Sequence, residues 1–437
     1  MCARTGRLYT MVPETVKKLI RPAYFYTLSK QSDIAHSSPE PSEQEGGVDN
    51  ILLISIDALR PDYTPDLDLT WASAVAPSTW TFPSVTSYLT GRYPHQHGAT
   101  AHTHSSDDSF AMPEQASPTE TLPGVFERRG YDTLGLFAFP MPFMASRGWF
   151  QKHRVWADEP AETLVSKYKS WSHGREKTFA YIHLGDLHAP ITPPKEYIEK
   201  QNVDTDLSNL EIIHEYTNSY DGSEKCRNYR EQRLKLYQAA LNYVEDTLQE
   251  LLRNQDENTL VLIYGDHGEA HWEHYEKDQL FTDSRPNYGV GHGGTPFDMV
   301  SRVPVGVSYP ELRPKGGRAS LIDLPKTVTD HVFGSSPDEF SGCSWGKGSI
   351  PSERSVICEG VRYGPERKAV YRQNRKLIRS EADDVTLTAE LTTTGEDFNS
   401  EFEYVELLNQ LPDDWGRGES AKTGRIVEDQ LEALGYR

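Results

Sequence analysis

The chain has 437 residues, of which 25% are charged and 36% are hydrophobic, and its formal net charge is −20. This length exceeds what one small core needs and suits one large domain with a smaller subdomain. The acidic balance argues against a nucleic-acid-binding surface or a surface for anionic membranes. It fits an ordinary acidic protein and a halophilic protein solvated in high salt equally well.

Cysteine usage and hydropathy indicate the compartment. The four cysteines are far apart and show no CxxC spacing, which fits a reducing compartment and predicts neither a disulfide framework nor a zinc cluster. No apolar run approaches 18 residues, and the first thirty residues lack an apolar signal core. We therefore expect no integral membrane segment and a cytoplasmic location. The sequence does not indicate the oligomeric state.

Residues 1–48 form the first predicted region, an N-terminal helix and a polar linker. Val12 to Leu28 reads as an amphipathic helix with Lys17, Lys18 and Arg21 on its polar side. We expect it to pack on the body of the protein, with a membrane surface as the alternative. The segment from Gln31 to Val48 is rich in Ser, Pro, Glu and Gly and predicts a linker.

From Asn50 to about Phe333, predicted strands and helices alternate, which indicates a mostly parallel sheet with helices on both faces. The first buried strand, Ile51 to Ile56, ends in Asp57. A carboxylate after a buried strand lies where open α/β sheets bind ligands. Taken alone, Asp57 is equally well explained as a turn or helix-capping residue.

A hydroxyl-rich segment follows, from Ala76 to Gly98. It predicts a short helix from Pro83 to Leu89 that ends at Gly91. The start of such a helix favours an anion, and a hydroxyl there, beside a metal, would be a credible nucleophile. Ordinary capping hydroxyls are the alternative interpretation.

Further along the chain, the polar segment from Gln201 to Arg230 interrupts the alternation and predicts either a lid or a surface loop. Glu231 to Arg253 predicts an amphipathic helix. Residues 49–335 therefore form the predicted catalytic domain. Residues 336–437 are predicted to form a small antiparallel subdomain, with short strands such as Lys368 to Ile378 and a closing helix from Ile426 to Leu434.

The most informative segment is Leu260 to Glu269, a buried strand that stops at Gly265 and continues with Asp266 and His267. Together with Asp57, it supplies carboxylates and an imidazole from two strand ends. Such a set suits a divalent cation, either Ca, Mg, Mn or Zn, because burying the carboxylates together without one would be costly. A polar turn is the alternative.

These segments together resemble the sulfatase branch of the alkaline phosphatase superfamily. Blocks in the family's order begin with the strand that ends in Asp57 and continue with a segment similar to the family's LTGRYPxxHG. They close with the DHGE strand and a block similar to HGxxLYDExxRVP. The matching ranges are 54–62, 87–98, 122–136, 181–190, 236–269 and 291–304. The resemblance implies the alkaline-phosphatase-like α/β fold.

The chain departs from typical sulfatases at the nucleophile. In those enzymes the nucleophile is a formylglycine made from Cys or Ser within Cys/Ser-x-Pro-x-Arg. That frame here has Thr81 in the nucleophile position, Pro83, and Val85 in place of the arginine. Threonine cannot become formylglycine, but several phosphoester-cleaving and phosphoryl-transferring branches of the superfamily use an unmodified Thr or Ser there. The resemblance therefore implies the metal site more firmly than sulfate-ester hydrolysis.

The resemblance also implies roles for individual residues. Thr81 is the expected nucleophile, and it shares one metal site with Asp57, Asp266 and His267. His188 and His292 are expected to contact the substrate oxygens or to protonate the leaving group. Glu269 is expected to orient His267. Arg60 and Arg92 are interpreted as structural ion-pair residues that could add charge compensation, and His95 and His97 as turn-stabilising residues.

We expect one divalent metal site rather than two. A second site would need further ligands, and the only candidates visible in the sequence are Asp186, His188 and His292. The expected substrate is a small-molecule or glycan ester, with phosphate diesters, monoesters or phosphonate esters favoured. The alternatives are a sulfatase, a transferase of a phosphoryl-linked headgroup, and a catalytically inactive binding protein.

Overall fold

The computed structural model describes residues 14–40, 47–100, 113–204, 222–284, 288–392, 395–399 and 402–415. The strands in this part of the chain are β1 (Asn50–Ile56), β2 (Thr70–Val75), β3 (Asp132–Phe137), β4 (Lys152–Val155), β5 (Thr178–Leu184), β6 (Thr259–Gly265), β7 (Ala270–His271), β8 (Val290–Gly291), β9 (Arg302–Val307), β10 (Ser355–Cys358), β11 (Lys368–Arg372), β12 (Arg375–Ser380), β13 (Val385–Thr392) and β14 (Gly395–Asp397).

The α-helices are α1 (Glu14–Ala35), α2 (Thr81–Thr90), α3 (Pro94–His97), α4 (Leu122–Arg128), α5 (Pro140–Ser146), α6 (Ala161–Ser172), α7 (Lys195–Lys200), α8 (Glu224–Arg253), α9 (Tyr275–Asp278), α10 (Asp298–Ser301), α11 (Leu324–Phe333) and α12 (Val405–Leu408). Two 3-10 turns lie at Pro310–Leu312 and Leu321–Asp323. None of the described helices combines the length and hydropathy needed to cross a membrane.

The central sheet has seven strands in the order β2-β9-β6-β1-β5-β3-β4. The run from β6 to β4 is parallel, and β9 is antiparallel to both of its neighbours. Every residue of β5 and β6 is buried, and so is all of β1 after Asn50. Strands buried along their whole length require cover on both faces, which explains their Leu-, Ile- and Val-rich composition. The predicted α/β class is confirmed.

The register of the three middle strands positions the site. Ile56, the last residue of β1, pairs with Leu184 of β5 and with Gly265 of β6. All three strands run in one direction, so their carboxyl ends lie at the same level and the residues that follow them are neighbours. Asp57 and Asp266 are therefore brought together by sheet pairing.

The flanking elements differ in detail from the sequence prediction. Helix α1 continues to Ala35, past Gln31, where the linker was predicted to begin, and lies against β4 through a hydrogen bond from the Val155 amide to Ser29 Oγ (3.1 Å). Helix α8 begins at Glu224, seven residues before its predicted start, because Ser223 Oγ caps the Cys226 amide. Part of the predicted polar insertion is thus helical.

The C-terminal region contains the predicted antiparallel sheet, with strands in the order β10-β11-β12-β13-β14. The segment predicted from alternation, Lys368 to Ile378, forms the β11–β12 hairpin. Its turn includes Gln373, which has a positive φ of 53°. The closing helix predicted from Ile426 to Leu434 lies outside the described residues.

Candidate active site

Two fully buried carboxylates, Asp57 and Asp266, form the floor of the candidate site. Asp266 Oδ1 accepts hydrogen bonds from the amides of His267 (2.9 Å) and Ala58 (3.3 Å). Asp57 Oδ1 and Asp266 Oδ2 are also buried, yet they have no hydrogen-bond partner in the described structure. Buried acceptor atoms without partners are costly unless something else satisfies them, so these two oxygens indicate a place for a cation.

The helix predicted from Pro83 is α2, but it begins at Thr81, two residues before its predicted start. Thr81 Oγ1 donates to Asp57 Oδ2 (3.0 Å) and lies 3.2 Å from His267 Nε2. Trp80, the preceding residue, is extended and provides no side-chain cap. The structure thus places this hydroxyl at the amide-rich start of a helix and against a carboxylate and an imidazole.

His267 is held with one ring nitrogen facing the carboxylates. Its Nδ1 lies 2.9 Å from the Gly268 carbonyl, so Nδ1 carries the proton and Nε2 keeps its lone pair. Nε2 lies 3.5 Å from Asp266 Oδ2 and 3.6 Å from Asp57 Oδ1. A Cβ atom on Gly268 would lie 2.0 Å from the Met299 carbonyl oxygen, so this turn accepts glycine alone.

His183 also belongs to the cluster, although the sequence analysis gave it no role. It lies in β5, fully buried, with Nε2 3.1 Å from Asp57 Oδ2 and 3.9 Å from Asp266 Oδ2. The Tyr181 hydroxyl lies 2.6 Å from Nδ1 and fixes the ring. The signal was present in the sequence, because a histidine inside an apolar strand must find a polar partner.

The electrostatics of the cluster fit a cation. Burial, and then the charge of Asp57, raise the pKa of Asp266 well above its ordinary value. Burial also opposes ionisation of Asp57, but a hydrogen bond to His183 and the charges of nearby histidines outweigh it and lower the Asp57 pKa. Burial lowers the pKa of His267. Two buried carboxylates with oxygens within 4.8 Å of each other therefore cannot both ionise easily here without a compensating positive charge.

The donors of one compact group, Asp57, His183 and Asp266, lie within 4.8 Å of one another, and all three residues are buried. His267 Nε2 and Thr81 Oγ1 border the same group. The site accordingly holds every residue that the sequence nominated for the metal, together with His183. Their role as metal ligands stays a prediction.

His292 and His188 lie beside this group and are half-buried. The His292 ring centroid lies 4.4 Å from that of His267 and 5.1 Å from that of His188. His188 stacks on Phe139, with ring centroids 5.5 Å apart. Both histidines therefore lie next to the site, as predicted for substrate-contacting residues, and outside the compact group of Asp57, His183 and Asp266.

Glu269 orients His292 and not His267, which corrects the prediction. Its Oε2 accepts from His292 Nδ1 at 2.6 Å, whereas His267 uses the Gly268 carbonyl. Burial opposes ionisation of Glu269, but the charge and hydrogen bond of His292 lower its pKa to about 2. Ionised Glu269 therefore holds the His292 ring through its Nδ1 atom.

The other hydroxyls near Thr81, those of Ser78, Thr79 and Ser84, have no recorded contact with the carboxylates in the described structure. Ser78 Oγ donates to the Gly360 carbonyl (3.1 Å), and Ser84 Oγ donates to the Ser78 carbonyl (3.2 Å). Thr79 Oγ1 is buried and has no partner in the described structure. Thr81 is thus the hydroxyl of this segment that contacts the carboxylate cluster.

Two further residues named in the sequence analysis, Arg60 and Asp186, bind neighbouring parts of the fold. Arg60 is buried and binds Asp62, Glu273 and the Glu269 carbonyl, as a structural ion-pair residue would. Asp186 Oδ1 accepts from the Ala161 amide (3.2 Å) at the start of α6, and burial raises its pKa to about 7. In the described ranges, Asp186, His188 and His292 do not form a second compact ligand group.

The histidines of helix α3 hold the loop that follows the nucleophile helix. His95 Nδ1 lies 2.5 Å from Glu359 Oε1, and His97 Nε2 lies 2.9 Å from Ser87 Oγ. These contacts agree with their interpretation as turn-stabilising residues. The Arg92 amide donates to the Ser87 carbonyl (3.3 Å).

Comparison with known proteins identifies the fold family. The Sulfatase family model matches residues 53–335, well over half of the chain. The chain belongs to the sulfatase family. The predicted superfamily and the prediction of a hydrolase are thereby confirmed. No curated protein matches the sequence significantly.

Solved structures share the sulfatase fold at low identity. A protein in complex with its substrate, D-glucosamine-2-N,6-O-disulfate, is 13% identical, covers 89% of this chain and 99% of its own, and has a TM-score of 0.62. The phosphonate monoester hydrolase of Agrobacterium radiobacter is 14% identical, with coverages of 78% and 89% and a TM-score of 0.56. The phosphonate monoester hydrolase from Silicibacter pomeroyi is 15% identical, with coverages of 79% and 90% and a TM-score of 0.55. The fold therefore hosts both sulfate-ester and phosphonate-ester chemistry.

Proposed function

We propose that this sulfatase-family protein is a metal-dependent phosphoesterase that uses Thr81 as its nucleophile. The observation that carries the proposal is the Thr81 hydroxyl, which donates to Asp57 at 3.0 Å inside a buried group of carboxylates and imidazoles. A formylglycine cannot form from Thr81, and the arginine position of the sulfatase frame is the fully buried Val85. Phosphate diesters, monoesters and phosphonate esters are the favoured substrates.

The residues that would hold a divalent cation are Asp57, Asp266, His267 and Thr81, with His183 as a further nitrogen donor. Such a cation, when bound, would lower the pKa of the Thr81 hydroxyl and balance charge on the ester. Calcium and magnesium prefer oxygen ligands, whereas imidazole nitrogens suit zinc and other transition metals. The imidazoles at this site therefore favour Zn²⁺ over Ca²⁺ and Mg²⁺, whereas the carboxylates also suit Mn²⁺. We propose one cation.

The chemical step follows from the positions of the side chains. Asp57 Oδ2 is placed to accept the proton as Thr81 Oγ1 forms a bond to phosphorus. The bond from phosphorus to the leaving oxygen breaks, and His292 or His188 donates a proton to that oxygen. Water then attacks phosphorus and gives a proton to the histidine that protonated the leaving oxygen. The bond from phosphorus to Thr81 Oγ1 breaks, and the proton on Asp57 returns to Oγ1, which releases a phosphate, phosphate monoester or phosphonate and restores the hydroxyl.

The proposal is tested with a panel of nitrophenyl phosphate, phosphodiester, phosphonate and sulfate esters, together with metal analysis of the purified protein. Thr81→Ala should abolish turnover, and Thr81→Ser should retain part of it, since serine keeps the hydroxyl with a less restricted χ1. Ser84→Ala is the matched control, because Ser84 is a buried hydroxyl of the same helix that donates to the Ser78 carbonyl.

Trapping during turnover, followed by peptide mass mapping, should find the phosphoryl group on Thr81. Full activity of Thr81→Ala, or an adduct on Ser78, would contradict the proposal. Turnover of the sulfate ester alone would instead assign the protein to sulfate-ester hydrolysis.

A further inference from the structure

A chain of buried hydrogen bonds leads from the nucleophile helix to the carboxylate group. The Tyr88 hydroxyl, on α2, lies 2.6 Å from the Tyr181 hydroxyl on β5. The Tyr181 hydroxyl lies 2.6 Å from His183 Nδ1, and His183 Nε2 lies 3.1 Å from Asp57 Oδ2. Tyr88, Tyr181 and His183 are all fully buried. The chemical step proposed above uses neither tyrosine.

The two tyrosine hydroxyls must pass their hydrogen bonds along in one direction. Burial raises the pKa of Tyr88 and of Tyr181 well above its ordinary value, so both hydroxyls stay protonated. A tyrosine hydroxyl has one proton to donate. A hydroxyl that donates to one of its two neighbours therefore accepts from the other.

The far end of the chain sets this direction. Tyr88 makes a long hydrogen bond as donor to Ser55 Oγ (3.5 Å), a buried hydroxyl on β1. Because Tyr88 thereby uses its proton, Tyr181 donates to Tyr88, and His183 Nδ1 donates to Tyr181. Neutral His183 then carries its proton on Nδ1 and keeps a lone pair on Nε2.

This lone pair faces the carboxylates of the candidate cation site. His183 Nε2 lies 3.1 Å from Asp57 Oδ2 and 3.9 Å from Asp266 Oδ2. A lone pair opposite an ionised carboxylate needs a proton or a cation between the two groups. His267 has the same arrangement, with its Nδ1 bonded to the Gly268 carbonyl and its Nε2 facing the carboxylates.

We propose that Tyr181 and Tyr88 are positioning residues that hold the His183 proton on Nδ1, so that Nε2 is kept as a ligand for the divalent cation. This inference rests on the cation site proposed above. Tyr88 lies about two turns after Thr81 on α2, so the same hydrogen bonds tie the nucleophile helix to the cation site.

The first test measures Zn²⁺ binding to the full chain by competition with a chromophoric chelator. Tyr181→Phe removes only the hydroxyl and should weaken Zn²⁺ binding about 10- to 100-fold, as the loss of a partner of a metal-binding histidine does. Tyr88→Phe should weaken binding by less, since it leaves Tyr181 free to donate to Nδ1 and to favour the other tautomer.

Tyr264→Phe is the matched control. Tyr264 is a fully buried tyrosine of β6 whose ring centroid lies 5.2 Å from that of Tyr88, and its hydroxyl has no hydrogen-bond partner in the described structure. This variant should bind Zn²⁺ as the wild type does. An equal loss of affinity in Tyr264→Phe and Tyr181→Phe would attribute the effect to packing and overturn the inference.

The second test reads the tautomer directly and needs no change to the tyrosines. Nitrogen-15 NMR of the histidine-labelled, Zn²⁺-bound wild type should show His183 protonated at Nδ1, with its signals assigned from their loss in His183→Gln. A proton on Nε2, or wild-type Zn²⁺ affinity in a folded Tyr181→Phe protein, would overturn the inference alone. Failure of the wild type to bind Zn²⁺ would overturn the cation site and the inference with it.

Discussion

Replacing Asp266 by Asn should remove the cation-dependent part of the protein's stability while leaving the cation-free protein at least as stable. Asp266 is fully buried next to Asp57, and its Oδ2 has no partner in the described structure. An Asn oxygen can still accept from the amides that bind Oδ1, those of Ala58 and His267. The substitution therefore replaces a carboxyl that is costly to ionise beside Asp57, since its pKa is raised, by an uncharged amide, and changes little else in the cation-free protein.

The size of the effect follows from linkage. A ligand that binds only the folded state at 100 times its Kd adds about 2.7 kcal/mol to the free energy of unfolding. If the loss of one carboxylate weakens binding by about 100-fold, the same cation concentration adds only about 0.4 kcal/mol. Wild type and Asp266→Asn should thus differ by about 2 kcal/mol in their response to added cation.

The assay is urea unfolding in EDTA and in a titration of Mn²⁺ or Zn²⁺. Asp186→Asn is the matched control, since Asp186 is a largely buried carboxyl that caps α6 outside the compact ligand group. It should respond to cation as the wild type does. A full cation response in Asp266→Asn, or none in the wild type, would refute the metal site.

Two further outcomes are expected. Glu269→Gln should lower kcat/KM by about 10- to 100-fold with unchanged bound metal, because its charge-assisted bond to His292 is worth about 1.5–3 kcal/mol. Metal loss in step with activity would contradict a positioning role. Gln238→Glu is the control, because Gln238 is a half-buried residue of α8 whose amide donates to Asn242 Oδ1 (2.7 Å). The free energy of unfolding should fall as pH drops from about 6.5 towards 3, by at most about 1.4 kcal/mol per pH unit, because burial lowers the pKa of His97 to about 3 and the unfolded chain binds the proton first. Urea unfolding of His97→Asn should show a shallower slope over that window, and an identical slope would exclude this residue as the cause.

The middle strands of the sheet could be predicted from the sequence, because a buried strand is a short apolar run and its end is marked by the first polar residue. The apolar strands before Asp57 and Asp266 end abruptly at polar residues, and the in-register pairing of Ile56 with Gly265 then makes those residues neighbours. Helix limits were less predictable. Nothing in composition marks Ser223 as the cap that starts α8 seven residues early, because polar residues serve loops and helix surfaces alike.

His183 and Arg362 escaped the sequence analysis for different physical reasons. No metal-ligating motif surrounds His183 in the sequence. It lies beside Asp57 because β5 pairs with β1. Arg362 is more than 270 residues from Trp80 along the chain, and it reaches the nucleophile segment through hydrogen bonds made by Gly293 and Gly360. A motif frame describes one continuous segment. It therefore detects the arginine missing at Val85, but it cannot detect a guanidinium that a distant segment packs over Trp80.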